Sequence, residues 1–180
     1  LAPLGADGAS KLAGEEGVRA AGGRHLIFRT AWVYGAHGRN FLRTMLQLGA
    51  GREELRVVAD QHGTPTPAAL IADITTAALE QAAARGSEAG GTWNLVAAGS
   101  TTWHGFAQAI FDEALAAGLL ARAPRVTPIT TGEYPTAALR PAYSCLDTSR
   151  LQRDFGIDPP HWRAALRDVV DGMAGPAAPP

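Results

Sequence analysis

One cysteine in 180 residues, Cys145, leaves this chain without an internal disulfide. That excludes the disulfide-stapled secreted domains, and a reduced, cytoplasmic compartment is the expectation. No neighbouring base supports Cys145 as a nucleophile, so it reads as a small packed residue. Charge of one sign is lacking too: 16 Lys and Arg against 17 Asp and Glu give a formal net charge of -1, with no run of like charges. The electrostatic footprint of nucleic-acid binding is absent, and no nucleic-acid partner is expected. No stretch approaches the roughly 20 apolar residues of a membrane helix. The most apolar helix candidate, 68–84, carries Asp73, Glu80 and Gln81, so no membrane partner is expected. The histidines His25, His37, His62, His104 and His161 fall at no metal-binding spacing and read as polar surface or loop residues. The chain opens on Leu1-Ala2-Pro3, without an initiator Met or the regions of a signal peptide, and reads as cut there.

What is present is a composition that folds. With 46% hydrophobic and 18% charged residues, one domain with a real core is expected over 1–173, followed by a flexible tail over 174–180. Its centre is the stretch 25–35, where Leu26-Ile27-Phe28 feeds into Arg29-Thr30-Ala31-Trp32-Val33-Tyr34 and stops at Gly35. This reads as a buried strand over 25–34 that delivers polar and aromatic side chains at its carboxyl end, where open α/β sheets bind ligands.

Around that strand the spacing predicts a loop over 1–8 and a helix over 10–21 with Leu12, Ala13, Val18 and Ala21 on one face, stopped by Gly22-Gly23. A helix over 41–48 is capped by Asn40 and ended by Gly49. A short strand over 55–59 precedes the turn-rich loop 60–66. There Thr66 caps a helix through 84 that buries Leu70, Ile71, Ile74 and Leu79. A strand over 92–96 leads to a helix capped within 100–102, with Phe106, Ile110 and Leu115 on one face. An edge strand over 125–130 is marked by Pro128. The loop 132–148 is expected to be ordered because Tyr134, Leu139, Tyr143 and Leu146 are apolar enough to need burial. A short helix over 149–155 follows, then a last helix capped by Asp158 and started by Pro159 or Pro160, with Trp162, Leu166, Val169, Val170 and Met173 on one face. Strands alternating with helices make this an α/β fold with a parallel sheet, and the loop-rich last third a small substrate-facing lobe.

Asp7 and Lys11 stand four residues apart at a helix start, one turn from each other on one face. Here the sequence resembles a known family. Asp7-Gly8-Ala9-Ser10-Lys11-Leu12-Ala13-Gly14-Glu15 followed by Arg29 through Gly35 is similar to the extended short-chain dehydrogenase/reductases, and within them to the dTDP-4-dehydrorhamnose reductases. Asn40-Phe41, the run 60–66, Trp93-Asn94-Leu95-Val96, Thr101-Thr102-Trp103, Tyr134-Pro135-Thr136, Arg140-Pro141 and Leu146-Asp147-Thr148 then fall in the family's order. That ordered succession covers nearly the whole chain.

The resemblance implies a partial NAD(P)-binding Rossmann-like parallel sheet with a small C-terminal substrate-binding lobe. It implies reduction of dTDP-4-dehydro-L-rhamnose to dTDP-L-rhamnose with NADPH or NADH, for cell-surface polysaccharide. Lys11 takes the place of the family Lys that holds the cofactor ribose, and Asp7 the place of its proton-donating Tyr. A carboxylic acid is ionised at neutral pH, the more so beside a lysine cation, so it has no proton to give a ketone, and it is shorter than a phenol. Trp32, Asn40, Phe41 and Arg140 fall at positions that face the nucleotide sugar. Three of them have a plain alternative: a core aromatic for Trp32, a helix cap for Asn40 and a surface ion pair for Arg140; Arg29 reads equally as a structural hydrogen-bonding residue or a functional one. No G-x-G-x-x-G follows any strand, and the family's catalytic Thr is absent. The chain is therefore expected to be the C-terminal portion of such a reductase, completed by a missing N-terminal half or acting as a homodimer. Some members hold Mg2+ at a dimer contact through acidic residues of the last helix. Asp168 and Asp171 stand there, neither a convincing ligand. The alternative reading is a non-catalytic nucleotide-sugar-binding or regulatory module of the same fold.

Overall fold

A computed structural model describes residues 5–85, 90–134, 136 and 140–175. Its elements run α1 (Ala6–Ala20), β1 (Leu26–Arg29), β2 (Val33–Tyr34), α2 (Phe41–Gly51), β3 (Glu54–Val58), β4 (His62–Gly63), β5 (Thr66–Pro67), α3 (Ala68–Ala84), β6 (Gly91–Asn94), β7 (Thr101–Thr102), α4 (Trp103–Ala116), β8 (Arg125–Ile129), a 3-10 turn Thr131–Glu133, β9 (Tyr143–Ser144), α5 (Ser149–Phe155) and α6 (Trp162–Ala174). The expected α/β alternation holds. β1 and β6 pair in parallel, Leu26 opposite Gly91 and Arg29 opposite Asn94. β3 and β8 pair in parallel, with Pro128 opposite Val57, and β2 pairs in parallel with β5. β4 lies between β7, antiparallel, and β9, parallel.

The strand expected over 25–34 is two. Trp32 takes φ +50, the left-handed region that is costly for a bulky side chain. The break at residues 30–32 ends pairing with β6 and sends β2 to β5 instead. Nor is β1 buried: all four residues are half-covered. A parallel strand is ordinarily covered on both faces, and α1, which lies over this one, buries no side chain of its own. Ala13 and Val18 of the predicted helix face are exposed.

Two apolar clusters carry the rest. One gathers Tyr34, Leu42, Met45, Leu55, Val57, Phe106, Ile110, Phe111, Trp162 and Leu166 between α2, α4, α6 and β3. The other gathers Ile74, Ala78, Trp93, Leu95, Leu151 and Phe155 between α3, β6 and α5. Across α4 and α6 the 3.6-residue spacing places Phe106, Ile110, Trp162, Leu166 and Val170 inside as expected. Leu79 and Leu115 are exposed, because their helices turn those positions to solvent. Tyr134 and Tyr143 are exposed as well; their segment is held by backbone pairing of β9 to β4, not by burying rings.

Helix ends also differ from the expectation. α1 begins at Ala6, within the predicted loop, and α2 continues through Gly49 to Gly51. Pro67, not Thr66, caps α3, because the Thr66 hydroxyl bonds Thr64 O and accepts from Ala97 N. His161, not Asp158, caps α6, its Nδ1 accepting from Arg163 N. Pro135, Leu139 and residues 176–180 of the expected tail lie outside the described residues, while Ala174 still belongs to α6.

Candidate active site

Helix α1 is fixed to the sheet by charge. Arg29 at the carboxyl end of β1 donates from Nε and Nη2 to the two Glu15 oxygens, each at 2.7 Å. Arg19, one turn on, donates to Glu15 and to Thr92 of β6, which stands opposite Ile27. These tethers show α1 running antiparallel to β1. Lys11, one turn before Glu15, therefore lies about 6 Å further along, past the carboxyl end of β1. That is the end from which the chain proceeds to Trp32. Asp7 extends the same stripe by another turn. Lys11 Nζ donates to Asp7 Oδ2 at 3.0 Å, with the side chains 74% and 84% exposed. An ammonium has three donors, so two remain for a ligand.

Trp32 is half-buried and held by several contacts. Its indole stacks on Trp103 with centroids 3.6 Å apart and planes 7° from parallel. Its Nε1 donates to Ser144 Oγ of β9 at 3.2 Å, and Ser144 in turn donates to His62 O. Its carbonyl accepts from Thr66 N. Gly63 leaves room for the ring: a Cβ there would collide with the indole. Behind Trp103, its Nε1 donates to Gln61 Oε1 at 3.2 Å, and Gln61 Nε2 donates to Thr131 Oγ1 at 3.0 Å. Thr131 donates from backbone and side chain to the Asp60 carboxylate. The Thr131 backbone bond, first among these, holds the Asp60 carboxyl below the usual carboxylate range.

Asn40 is a helix cap with its side chain fully engaged. Oδ1 accepts from Arg43 N, and Nδ2 donates to Gly35 O and His37 O. It also lines a cleft of about 470 Å³ with Arg39, Arg43, Thr44 and Gln47. Phe41 packs on Trp103 at 4.7 Å and on Phe106 at 5.4 Å, so it supports the stacked pair from below. Arg140 is exposed and makes no ion pair among the described residues. Arg29 is a structural partner of Glu15. Cys145 is half-buried.

Asp168 and Asp171 are exposed on α6, and among the described residues no group of three His, Cys, Asp or Glu is placed to hold a metal. The described residues of a single chain therefore do not assemble a magnesium site. Among the same residues no helix is long and apolar enough to cross a membrane.

Over residues 1–174 the sequence matches the family described as the RmlD substrate binding domain. The chain belongs to that family. It is 47% identical over 169 residues to the dTDP-4-dehydrorhamnose reductase of Burkholderia thailandensis, covering 91% of this chain and 57% of the relative. The solved dTDP-4-dehydrorhamnose reductase of Clostridium acetobutylicum matches with a TM-score of 0.85 at 35% identity, over 96% of this chain and 57% of that one. That of Bacillus anthracis, solved in complex with NADP, matches with a TM-score of 0.79 at 36% identity, over 93% and 56%. The chain thus spans about 57% of the length of the relatives it matches.

The sequence assigns Trp32 and Phe41 to one sugar-facing site but does not show Trp103, which joins them. Trp103, Gln61, Gly63 and Ser144 went unassigned, although the segments holding them follow the family's order. One local signal existed: a tryptophan at the first turn of α4, where polar residues are usual, needs a partner at that helix end.

Proposed function

We propose that this chain forms the nucleotide-sugar side of a reductase that converts dTDP-4-dehydro-L-rhamnose to dTDP-L-rhamnose in the cytoplasm. Its dinucleotide-binding half is supplied by further sequence or by another chain. The observation that carries the reading is the Glu15–Arg29 ion pair, which directs α1 and its Lys11 toward the carboxyl end of β1, the end from which the chain proceeds to Trp32. The uncovered faces of α1 and β1 support a partner half. NADPH or NADH supplies the hydride when bound. Lys11, with donors to spare, binds the cofactor ribose. Trp32 presents its free edge to the sugar, and Asn40 with Phe41 shapes the wall beside it. The exposed Arg140 guanidinium matches diphosphate oxygens in a planar, bidentate way.

The proton is the weak step. Asp7 stands where the donor belongs, as a carboxylate paired with Lys11, and this favours a second reading in which the chain binds the sugar nucleotide without turning it over. The two readings separate in a chain joined to the N-terminal half of a relative. Asp7→Tyr should raise NADPH oxidation with the dTDP-keto sugar on the order of 100-fold or more over Asp7. Sugar-nucleotide binding without turnover in that variant would move the assignment to the binding module. Neither binding nor turnover would overturn both.

A further inference from the structure

We infer that Trp103 and Gln61 are positioning residues for the sugar-facing indole of Trp32. This deepens the reading proposed above and rests on it for the identity of the ligand. The evidence is geometric. Trp32 sits at φ +50, a conformation a bulky residue keeps only where its surroundings over-determine it. Those surroundings are the near-parallel Trp103 ring at 3.6 Å, the bare backbone at Gly63 and the Ser144 hydroxyl.

Trp103 is itself fixed. Phe41 packs on it, and its Nε1 is anchored through Gln61 and Thr131 to Asp60. Gln61 is buried, with donor and acceptor both engaged, so its amide cannot rotate without breaking one bond. The relay therefore transmits the position of the 60–63 loop to the indole that meets the sugar. It ends on the sugar-facing indole, and so should affect the sugar's share of binding only.

The test uses the 180-residue chain, titrated with dTDP and with dTDP-L-rhamnose. The ratio of the two affinities measures the sugar increment, and far-ultraviolet circular dichroism reads the exciton couplet of two stacked indoles. Trp103→Leu should abolish the couplet and cut the sugar increment roughly tenfold, the factor that about 1.4 kcal/mol carries, leaving dTDP affinity within about twofold. Trp103→Phe, which keeps a ring on Trp32, should lose the couplet but recover most of the increment, so misfolding is not the cause. Gln61→Ala should weaken both signals together. An unchanged increment in Trp103→Leu, or equal losses for dTDP and dTDP-L-rhamnose, overturns the inference, as does a full couplet in Gln61→Ala. If the wild-type chain shows the couplet but binds neither nucleotide, the proposed function fails, and the relay stands or falls on the Gln61→Ala couplet alone.

Discussion

Arg29 grips Glu15 through two hydrogen bonds of 2.7 Å, Nε to Oε1 and Nη2 to Oε2. Because α1 buries no side chain, this pair, with Arg19 beside it, carries the docking of the helix that presents Lys11. Arg29 first, and then Arg19, hold the Glu15 carboxyl at about 2 against an ordinary 4.5, outweighing the burial that pushes the other way. The folded value is the lower one, so this contribution is complete above about pH 4.5 and is lost as the pH falls toward about 2. Glu15→Gln should flatten the stability profile across that window. It should also speed amide exchange along α1 while leaving α4 protected. Unchanged exchange in α1 would show that the helix is held by something else.

Gly63→Ala tests the fit of Trp32 against the loop. The added methyl meets the indole, which is also stacked on Trp103 and bonded to Ser144, so the ring does not yield freely. A loss of about 1–3 kcal/mol is expected, with a changed couplet. Stability and couplet both at wild-type values would mean that the ring moves without cost.

Tyr34 is 2% exposed, and its hydroxyl has no hydrogen-bond partner among the described residues. Burial, reinforced by Asp168, pushes its phenol well above the usual range. Removing an unsatisfied buried hydroxyl relieves its desolvation cost while keeping the ring against Phe106 at 5.1 Å. Tyr34→Phe should leave denaturant stability unchanged or raise it by up to about 1 kcal/mol. A clear loss would show that the hydroxyl is partnered in solution.

Glu113, 8% exposed on α4, accepts from Arg163 Nε at 3.2 Å and Arg167 Nε at 3.1 Å on α6. The Arg167 bond, then Arg163, holds its carboxyl below the usual range. Glu113→Gln keeps the shape but removes the charge facing two guanidinium groups. It should cost roughly 1–2 kcal/mol in urea unfolding, and combining it with Arg167→Ala should cost less than the sum of the two single changes. Strict additivity would mean that the pair is not coupled.

Much of the architecture was legible because it rests on local chemistry. Gly22-Gly23 stops α1, Asn40 caps α2, and the spacing of Phe106, Ile110, Trp162 and Leu166 writes the buried faces of α4 and α6. Leu79, Leu115, Tyr134 and Tyr143 are exposed against expectation because apolar character says that a side chain would gain from burial, not that a neighbour is there to bury it. The break at Trp32 was invisible for a related reason. Nothing in Thr30-Ala31-Trp32 disfavours a continuous strand; pairing of β2 with β5 decides it.

The order of the residues alone determined the α/β alternation, a matter of local spacing and side-chain type, and the kinship with dTDP-4-dehydrorhamnose reductases, carried by the ordered succession of their motifs. Only the folded chain decided what holds Trp32 and what holds α1. Trp103 lies 71 positions beyond Trp32 and Ser144 lies 112 beyond, and Glu15 meets Arg29 across a helix-to-strand turn. Contacts between distant positions exist only after the backbone has brought them within hydrogen-bond or van der Waals range, and no periodicity in a single sequence encodes them.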